Sequence, residues 1–392
     1  MIWHTKPMKI TWEAHMKKQS IVAILAVISL LHYPAKSFGS VGTEGASFLD
    51  IPVGADPAAL GSAYTALATN AYAPVWNPAG LGSLSGNEVA AQHLSYLESM
   101  HYEFLSFVHP FDKSRDSDTQ RGIGFSIQYL GSGDINRTDV NPDGSLVNNG
   151  DPIGTFSSYF ASYNLSYGQT LTDKLSLGVT GKMIQAKIDD VSASAYAADL
   201  GALYKMNEKV QLGASLVNMG TQLKFLSEGD DLPMAVKLGG VYKFNSHFMT
   251  TAEGVYSKNG LASFHTGGEW RPIEMVGLRV GYKTDTLNGL SPVAGVTAGL
   301  GLHVWGQEFA YAWAPYGDLG DAQYFSLLIR FGAEEEQKRN LIQYQNIKQH
   351  RTVKGTSHKD DLEPEYQQLM QLLSDDDSHL ARSTSDRSTA DR

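Results

Sequence analysis

The stretch from Glu88 to Phe331 contains about fourteen short segments in which apolar and polar residues alternate. Because alternate side chains of a strand point to opposite faces of a sheet, each segment predicts a β-strand with one apolar face. In Val276–Lys283, for example, valine, leucine and tyrosine alternate with glycine, arginine and lysine. A soluble β-sandwich and a membrane β-barrel both show such alternation, so the strands by themselves leave both folds open.

The connections between these segments alternate between short and long. Every second connection is a tight turn, with Asp112–Arg121 as a longer exception. The tight turns are Leu171–Lys174, Met206–Lys209, Asn245–His247, Pro272–Met275 and Gly306–Gln307. The other connections include the two longest loops, Gly131–Thr155 and Met219–Leu232. Bacterial outer-membrane barrels show this asymmetry, with short periplasmic turns and long outer loops. The sequence therefore predicts an all-β fold, a 14-stranded antiparallel transmembrane β-barrel over residues 86–332.

Both ends of the chain carry features of export to an outer membrane. Met16–Lys18 precedes an apolar run, Ile21–Leu31, and a small-residue cleavage pattern, Ser37–Gly39. Since a spanning helix takes about 20 residues, we interpret residues 1–39 as an upstream extension plus a secretory signal peptide. The last predicted strand, Tyr324–Phe331, ends on an aromatic residue and resembles the signal read by outer-membrane assembly machinery. We expect the outer membrane of a Gram-negative (diderm) bacterium, with its lipid and this machinery as partners.

Composition excludes several classes of function. The chain has no cysteine, so it holds neither a disulfide nor a cysteine-ligated metal, and it is not a thiol enzyme. Its formal net charge of −10 argues against nucleic-acid binding. No serine, histidine and carboxylate set assembles into a catalytic motif. We therefore predict no enzymatic activity and no cofactor.

An alanine- and glycine-rich stretch, Gly54–Gly82, precedes the first predicted strand. Leu60, Tyr64 and Leu67 fall at helical spacing, and Asn77–Gly80 has the residues of a turn or helix start. A compact helical segment of this kind predicts a plug, within residues 40–85, that folds back into the barrel; a surface helix on a periplasmic cap is the alternative. The candidate plug or ligand residues are Leu60, Tyr64, Trp76, Asn77 and Pro78. We expect the plug at the periplasmic end of the barrel.

Several blocks occur in order along the chain, among them Ala59–Ala68, Trp76–Leu81, Asp199–Tyr204, Gly267–Arg271 and Arg279–Tyr282. Together they resemble the PorV/PorQ family of outer-membrane barrels, which is related to the long-chain fatty-acid transporter FadL. The resemblance implies fourteen strands, in agreement with the alternating segments. The chain departs from the commoner family pattern at Asp56-Pro57, where a basic or small pair is more usual.

The resemblance leaves the function open between two classes. FadL-type members resemble channels that pass hydrophobic small molecules through a lumen gated by an amino-terminal hatch. PorV-type members serve type IX secretion and bind the carboxy-terminal signal domains of secreted cargo proteins. A purely structural barrel is the third alternative.

Charged residues on the polar faces of the predicted strands are expected to point into the lumen. They are Lys182, Asp199, Lys237, Glu269, Arg271, Arg279 and Lys283. Charges in such a place must pair or meet water, so they form either a network that closes the interior or the lining of a polar passage. We favour the network.

Two further stretches have plain interpretations. Asp139, Asn141 and Asp143 open a calcium-loop pattern, but Gly150 stands where a bidentate glutamate is required, so a turn cluster explains them better than a metal site. The polar tail, residues 333–392, is too poor in apolar residues to fold alone. We predict a flexible periplasmic extension, with a docking segment for a periplasmic partner as the alternative.

Overall fold

The computed structural model describes residues 44–97, 100–111, 119–258, 262–285, 292–317 and 320–332. The predicted signal peptide and the whole predicted tail lie outside these residues, so both stay predictions. No helix in the described ranges is long and apolar enough to cross a membrane.

Fourteen strands pair into a closed antiparallel barrel. They are β1 Asn87–Ser95, β2 His101–Phe111, β3 Arg121–Gly131, β6 Ser158–Thr172, β7 Leu175–Ile188, β8 Val191–Lys205, β9 Val210–Gly220, β12 Ala235–Lys243, β13 Phe248–Ser257, β14 Ser263–Ile273, β15 Val276–Lys283, β16 Val296–Val304, β17 Gln307–Pro315 and β18 Asp321–Phe331. Neighbours in this order are hydrogen-bonded, and β1 closes the barrel against β18. Closure satisfies the backbone of every strand, as a membrane interior demands. The predicted 14-stranded barrel is confirmed.

Two small hairpins and six short helices complete the described structure. The hairpins pair β4 Ile135–Arg137 with β5 Gly154–Phe156, and β10 Leu223–Phe225 with β11 Glu228–Asp230. The helices are the α-helices α1 Ala55–Ala59 and α2 Ala73–Trp76 and the 3₁₀ helices Ser47–Asp50, Pro78–Ser83, Val147–Gly150 and Pro292–Gly295. Both hairpins lie in the two longest loops, at the end of the barrel that we call the long-loop end. The opposite end, with the tight turns, is the short-turn end, which we predict to face the periplasm.

The barrel is apolar outside and polar inside, the reverse of a soluble protein. Large outward side chains remain exposed, such as Leu165 at 59%, Val280 at 57% and Phe309 at 55%. Inward positions of the same strands are buried and often polar, for example Asn164 and Arg279. This is the pattern expected for a wall with lipid on one side and a filled lumen on the other.

Residues 44–86, which we call the inner segment, lie inside the barrel. They start at the long-loop end, where the Gly45 amide donates to the Asp231 carbonyl oxygen over 2.9 Å. At the far end, the segment leads into β1 at Asn87. The first residues of the inner segment therefore lie at the long-loop end, so our expectation of a plug at the periplasmic end is wrong for them. The small residues of the segment allow it to run along the lumen. A gating role for the segment stays a prediction.

Candidate functional site

The inner segment contacts the wall where strands carry inward-facing glycines. A Cβ atom at Gly201 would lie 2.2 Å from Asn77 Oδ1, and one at Gly281 would lie 2.0 Å from the Gly61 nitrogen. Such distances leave no room for any side chain at these wall positions. The close approach of the inner segment recurs on eight strands at Gly122, Gly168, Gly178, Gly201, Gly213, Gly267, Gly281 and Gly299. At these positions the glycines of the wall and the small residues of the segment pack together without room for larger side chains.

Asn77 and Pro78 form one of these contact points. Asn77 Nδ2 donates to the carbonyl oxygens of Thr65 and Ala202, each over 3.0 Å. Its Oδ1 accepts from the Ala79 amide over 3.2 Å and thereby caps the 3₁₀ helix Pro78–Ser83. These hydrogen bonds hold the segment to itself and to β8, which is a structural role; neither residue lines the two lumen cavities described below.

Leu60, Tyr64 and Trp76 do not line a single cavity. Leu60 and Tyr64 border a cavity at the short-turn end, whereas Trp76 borders another at the long-loop end. Tyr64 and Trp76 nevertheless pack edge to face, with ring centroids 5.8 Å apart. The Trp76 indole donates to the Val53 carbonyl oxygen over 2.8 Å.

The densest charge cluster surrounds Arg279, whose side chain is almost fully buried. Its guanidinium donates to Glu269 over 2.6 Å, to Glu308 over 2.7 Å and to Asp56 of α1. Arg271 binds the other oxygen of Glu269 over 2.6 Å. One buried cation thus joins three carboxylates, and one of them belongs to the inner segment. The arrangement holds the segment against β14, β15 and β17.

A second cluster lies where the pairing of β8 and β9 shifts register. Lys182 Nζ lies 2.8 Å from Asp199 and donates to Asn218 Oδ1 over 2.7 Å. Asn218 stands at a left-handed φ of 58°, and its amide donates to Asp199 over 2.7 Å. Both charged side chains are almost completely buried, so they compensate each other within the wall.

Lys237 and Lys283 face aromatic rings at the long-loop end. Lys237 Nζ lies 4.9 Å from the centre of the Trp76 ring, and Lys283 Nζ lies 5.3 Å from that of Tyr316. Both lysines line a cavity of about 400 Å³ together with Asp50. Although the Asp50 side chain is exposed to this cavity, the surrounding barrel limits its hydration and raises its pKa to about 7, while the Lys237 ammonium lowers it.

A second cavity of about 580 Å³ opens at the short-turn end. Its lining combines Leu60 and Tyr64 with charged side chains such as Glu269, Arg271 and Arg330. The two cavities have no lining residue in common. The described lumen therefore contains a water-accessible, charged chamber at each end, with the inner segment packed between them.

The side chains of the candidate calcium residues form hydrogen bonds within a turn. Asp143 Oδ1 accepts from the amide of Ser145 over 2.9 Å and from its hydroxyl over 2.6 Å. Asn141 Nδ2 donates to the same hydroxyl over 2.9 Å, and Asp139 accepts from the Val140 amide over 2.8 Å. No group of metal-ligating side chains occurs among the residues that the structure describes.

Three acidic partners of the clusters were absent from our predicted lumen charges: Asp56, Glu88 and Glu308. Glu88 pairs with Arg330 over 3.3 Å, and Glu308 accepts from Arg279. Both glutamates stand at inward positions of alternating strands, so the period-two pattern was sufficient to find them. Asp56 could be found from a different feature of the sequence: it is the single charged residue within Gly54–Gly82.

Comparison with known families bears on this barrel directly. The family model described as "Type IX secretion system protein PorV" matches residues 36–253, more than half of the chain. The chain belongs to the PorV family. It is an outer-membrane β-barrel of a Gram-negative bacterium, from a family of secretion components. The match spans the inner segment and the strands from β1 into β13.

Two solved structures are similar to the chain at low sequence identity. The Pseudomonas putida toluene transporter TodX is 14% identical, with a TM-score of 0.49 over 71% of this chain and 98% of TodX. A Pseudomonas aeruginosa FadL homologue is 12% identical, with a TM-score of 0.43 over 70% of this chain and 96% of the homologue. No curated protein sequence matches the chain.

Proposed function

We propose that this barrel is a closed docking component of type IX secretion, which receives secreted cargo proteins on its long-loop end. The observation that carries the proposal is the filled lumen. Atoms of the inner segment lie against inward glycines of eight strands, and Arg279 binds α1 to the wall through Asp56. A channel needs a continuous path for its solute through the lumen. A barrel that is filled in this way instead has its two rims available for binding partners.

The chemistry of the two chambers also disfavours a passage for hydrophobic compounds. Glu269, Arg271 and Arg330 stand at the short-turn chamber, and Asp50 and Lys237 at the long-loop chamber. Charged groups retain water, so an apolar molecule would have to displace it from both chambers. The lining supports a hydrated, structural interior.

The two long loops determine the charge and the exposed apolar residues of the proposed docking surface. Gly131–Thr155 and Met219–Leu232 together contain seven acidic and two basic residues, a net charge of −5. Their exposed apolar residues include Val140 at 59% and Leu226 at 87% exposure. A cargo surface that fits this rim carries cationic side chains around an apolar patch.

The experiment compares secretion and uptake in a strain without this gene. Complementation with the full chain is expected to restore the secreted proteome, and uptake of a labelled long-chain fatty acid is expected to be the same with and without the gene. Leu226→Ser is expected to reduce cargo secretion. Trp305→Ser is the matched control, because Trp305 is also a left-handed turn residue and is 94% exposed, but on the short-turn end.

Unchanged secretion in the deletion strain would overturn the proposal. Loss of fatty-acid uptake with intact secretion would assign the barrel to hydrophobic transport. An equal effect of the two serine variants would show that the long-loop rim is not the docking surface.

A further inference from the structure

Strands β7, β8 and β9 meet at a point where the backbone pairing of the wall is interrupted. The pairing of β8 with β9 shifts register between Ala198 and Leu200, so β9 carries an extra residue there. Asn218 lies in this bulge at a left-handed φ of 58°. Its amide donates to Asp199 Oδ1 over 2.7 Å. A bulge changes the direction of the side chains beside it, and here the Asn218 side chain meets a lysine of β7.

Lys182 of β7 contacts both of these residues. Its Nζ donates to Asn218 Oδ1 over 2.7 Å and lies 2.8 Å from Asp199 Oδ2. Asn218 Nδ2 donates to the Pro233 carbonyl oxygen over 3.0 Å, which holds the amide with its oxygen toward the lysine. An amine, an amide carbonyl and a carboxylate are therefore in contact. The amine becomes a nucleophile when it loses a proton, and the carboxylate is a base within reach of that proton.

The three side chains are shielded from water. The Lys182 and Asp199 side chains are 3% and 0% exposed, and Asn218 is 2% exposed. None of the three residues lines either lumen cavity. Exclusion of water prevents solvent from competing with the amine for the amide carbon, and it protects a product from hydrolysis.

The amine and the amide carbon are close to a reactive arrangement. Because a carbonyl bond is about 1.23 Å long, Cγ of Asn218 lies at most about 4 Å from Lys182 Nζ. Reacting atoms in near-attack arrangements are about 3–3.5 Å apart. A shift of the lysine nitrogen by at most about 1 Å reaches this distance.

We propose that Lys182 and Asn218 react to form an isopeptide bond, an amide between their side chains. The Lys182 ammonium passes one proton to the Asp199 carboxylate, and the neutral Nζ attacks Cγ of Asn218. A second proton moves from Nζ to Nδ2, the Cγ–Nδ2 bond breaks, and ammonia leaves. Asp199 retains the first proton as a neutral acid, so atoms and charges balance without a further reactant.

The product is suited to the wall in which it forms. The reaction replaces two buried ions by a neutral amide and a neutral acid, and buried ions are costly. The new bond joins β7 to β9 across β8 and links residues that are 36 positions apart. A covalent link of this kind restricts the unfolded chain, as a disulfide does, and this chain has no cysteine.

The test is a search for the cross-linked peptide in the natural full-length chain. The protein is purified from outer membranes, denatured in hot detergent and digested with trypsin, so that only covalent links survive. We expect one species that joins Leu175–Lys187 to Val210–Lys224, with the summed mass of the two peptides less one ammonia. Fragmentation in the mass spectrometer is expected to place the link between Lys182 and Asn218.

Two variants test the assigned roles. Lys182→Arg keeps the positive charge but removes the amine, and Asp199→Asn removes the proton acceptor, so both are expected to abolish the linked species. Lys187→Arg is the matched control, because Lys187 is an exposed lysine of the same strand, and this variant is expected to retain the link. Heat-modifiable gel mobility checks that each variant is folded.

The natural chain by itself decides the proposal. Recovery of only the two separate peptides from the folded natural chain would overturn it. A linked species that persists in Lys182→Arg, or that forms in equal yield in Asp199→Asn, would overturn it as well.

Discussion

Replacement of Arg279 by methionine is expected to be among the most destabilising single changes in the barrel. The guanidinium is the shared donor for Asp56, Glu269 and Glu308, and its side chain is 3% exposed. Arg279→Met keeps much of the aliphatic volume but leaves three carboxylates together without their cation. The expected effect therefore comes from charge, with little contribution from a cavity.

The magnitude follows from the bonds that are lost. Three charge-assisted hydrogen bonds, at about 1.5–3 kcal/mol each, set an upper range of about 5–9 kcal/mol. Two effects reduce it: a carboxylate takes up a proton, and Glu308 retains His303 at 2.9 Å and Arg330 at 3.6 Å. We expect a loss of about 3–5 kcal/mol in the free energy of unfolding, the range for a broken buried ion pair.

The assay is urea unfolding of the barrel refolded in lipid vesicles, followed by tryptophan fluorescence. Arg137→Met is the matched control, because Arg137 pairs with Asp189 while both side chains are more than 40% exposed; it is expected to cost at most about 1 kcal/mol. Asp56→Asn in the Arg279→Met background is expected to restore at least about 1 kcal/mol, since the two residues are coupled. A loss below about 1 kcal/mol for Arg279→Met, or additive effects of the two substitutions, would refute this reasoning.

Three further predictions follow from the packing of the lumen. Gly201→Leu is expected to displace the inner segment and to expose it to added protease, whereas Gly181→Leu is expected to be neutral, because a Cβ at Gly181 meets nothing within 4 Å; limited proteolysis in vesicles compares them. Because the pKa of Asp50 is raised from 3.8 to about 7 in the fold, ionisation opposes folding, and stability is lost as pH rises through this interval. Asp50→Asn is therefore expected to raise the Tm near pH 8 and to leave it unchanged near pH 4; an equal shift at both would contradict this. Lys182→Met leaves Asp199 buried and unpaired and is expected to cost about 3–5 kcal/mol in urea unfolding, whereas an effect below about 1 kcal/mol would show that the pair is dispensable.

The sequence alone is sufficient to predict the strands that form the wall of this barrel. In Val276–Lys283 the period-two pattern predicts both the bounds of β15 and the face of each residue. The reason is physical: lipid selects apolar side chains on one face, and a filled lumen selects small or polar ones on the other. The alternation of tight and long connections predicts in the same way which strand ends meet at the long-loop end.

The contents of the lumen are harder to predict, because they depend on contacts between distant residues. Asp56 and Arg279 are 223 positions apart, and no local pattern links them. The start of the inner segment at the long-loop end is another case, since its composition predicts a compact segment but gives no direction. Asn218 adopts a left-handed φ of 58° inside a strand, where alternation predicts an extended residue.

The central claim, that the lumen is closed by the inner segment, is tested most directly by ion conductance. The full-length barrel is inserted into planar lipid bilayers at neutral pH, and single-channel current is recorded. We expect no conductance steps from the natural chain and the appearance of steps for Gly201→Leu. Steady conductance from the natural chain, of the size expected for an open fourteen-stranded lumen, would contradict the account.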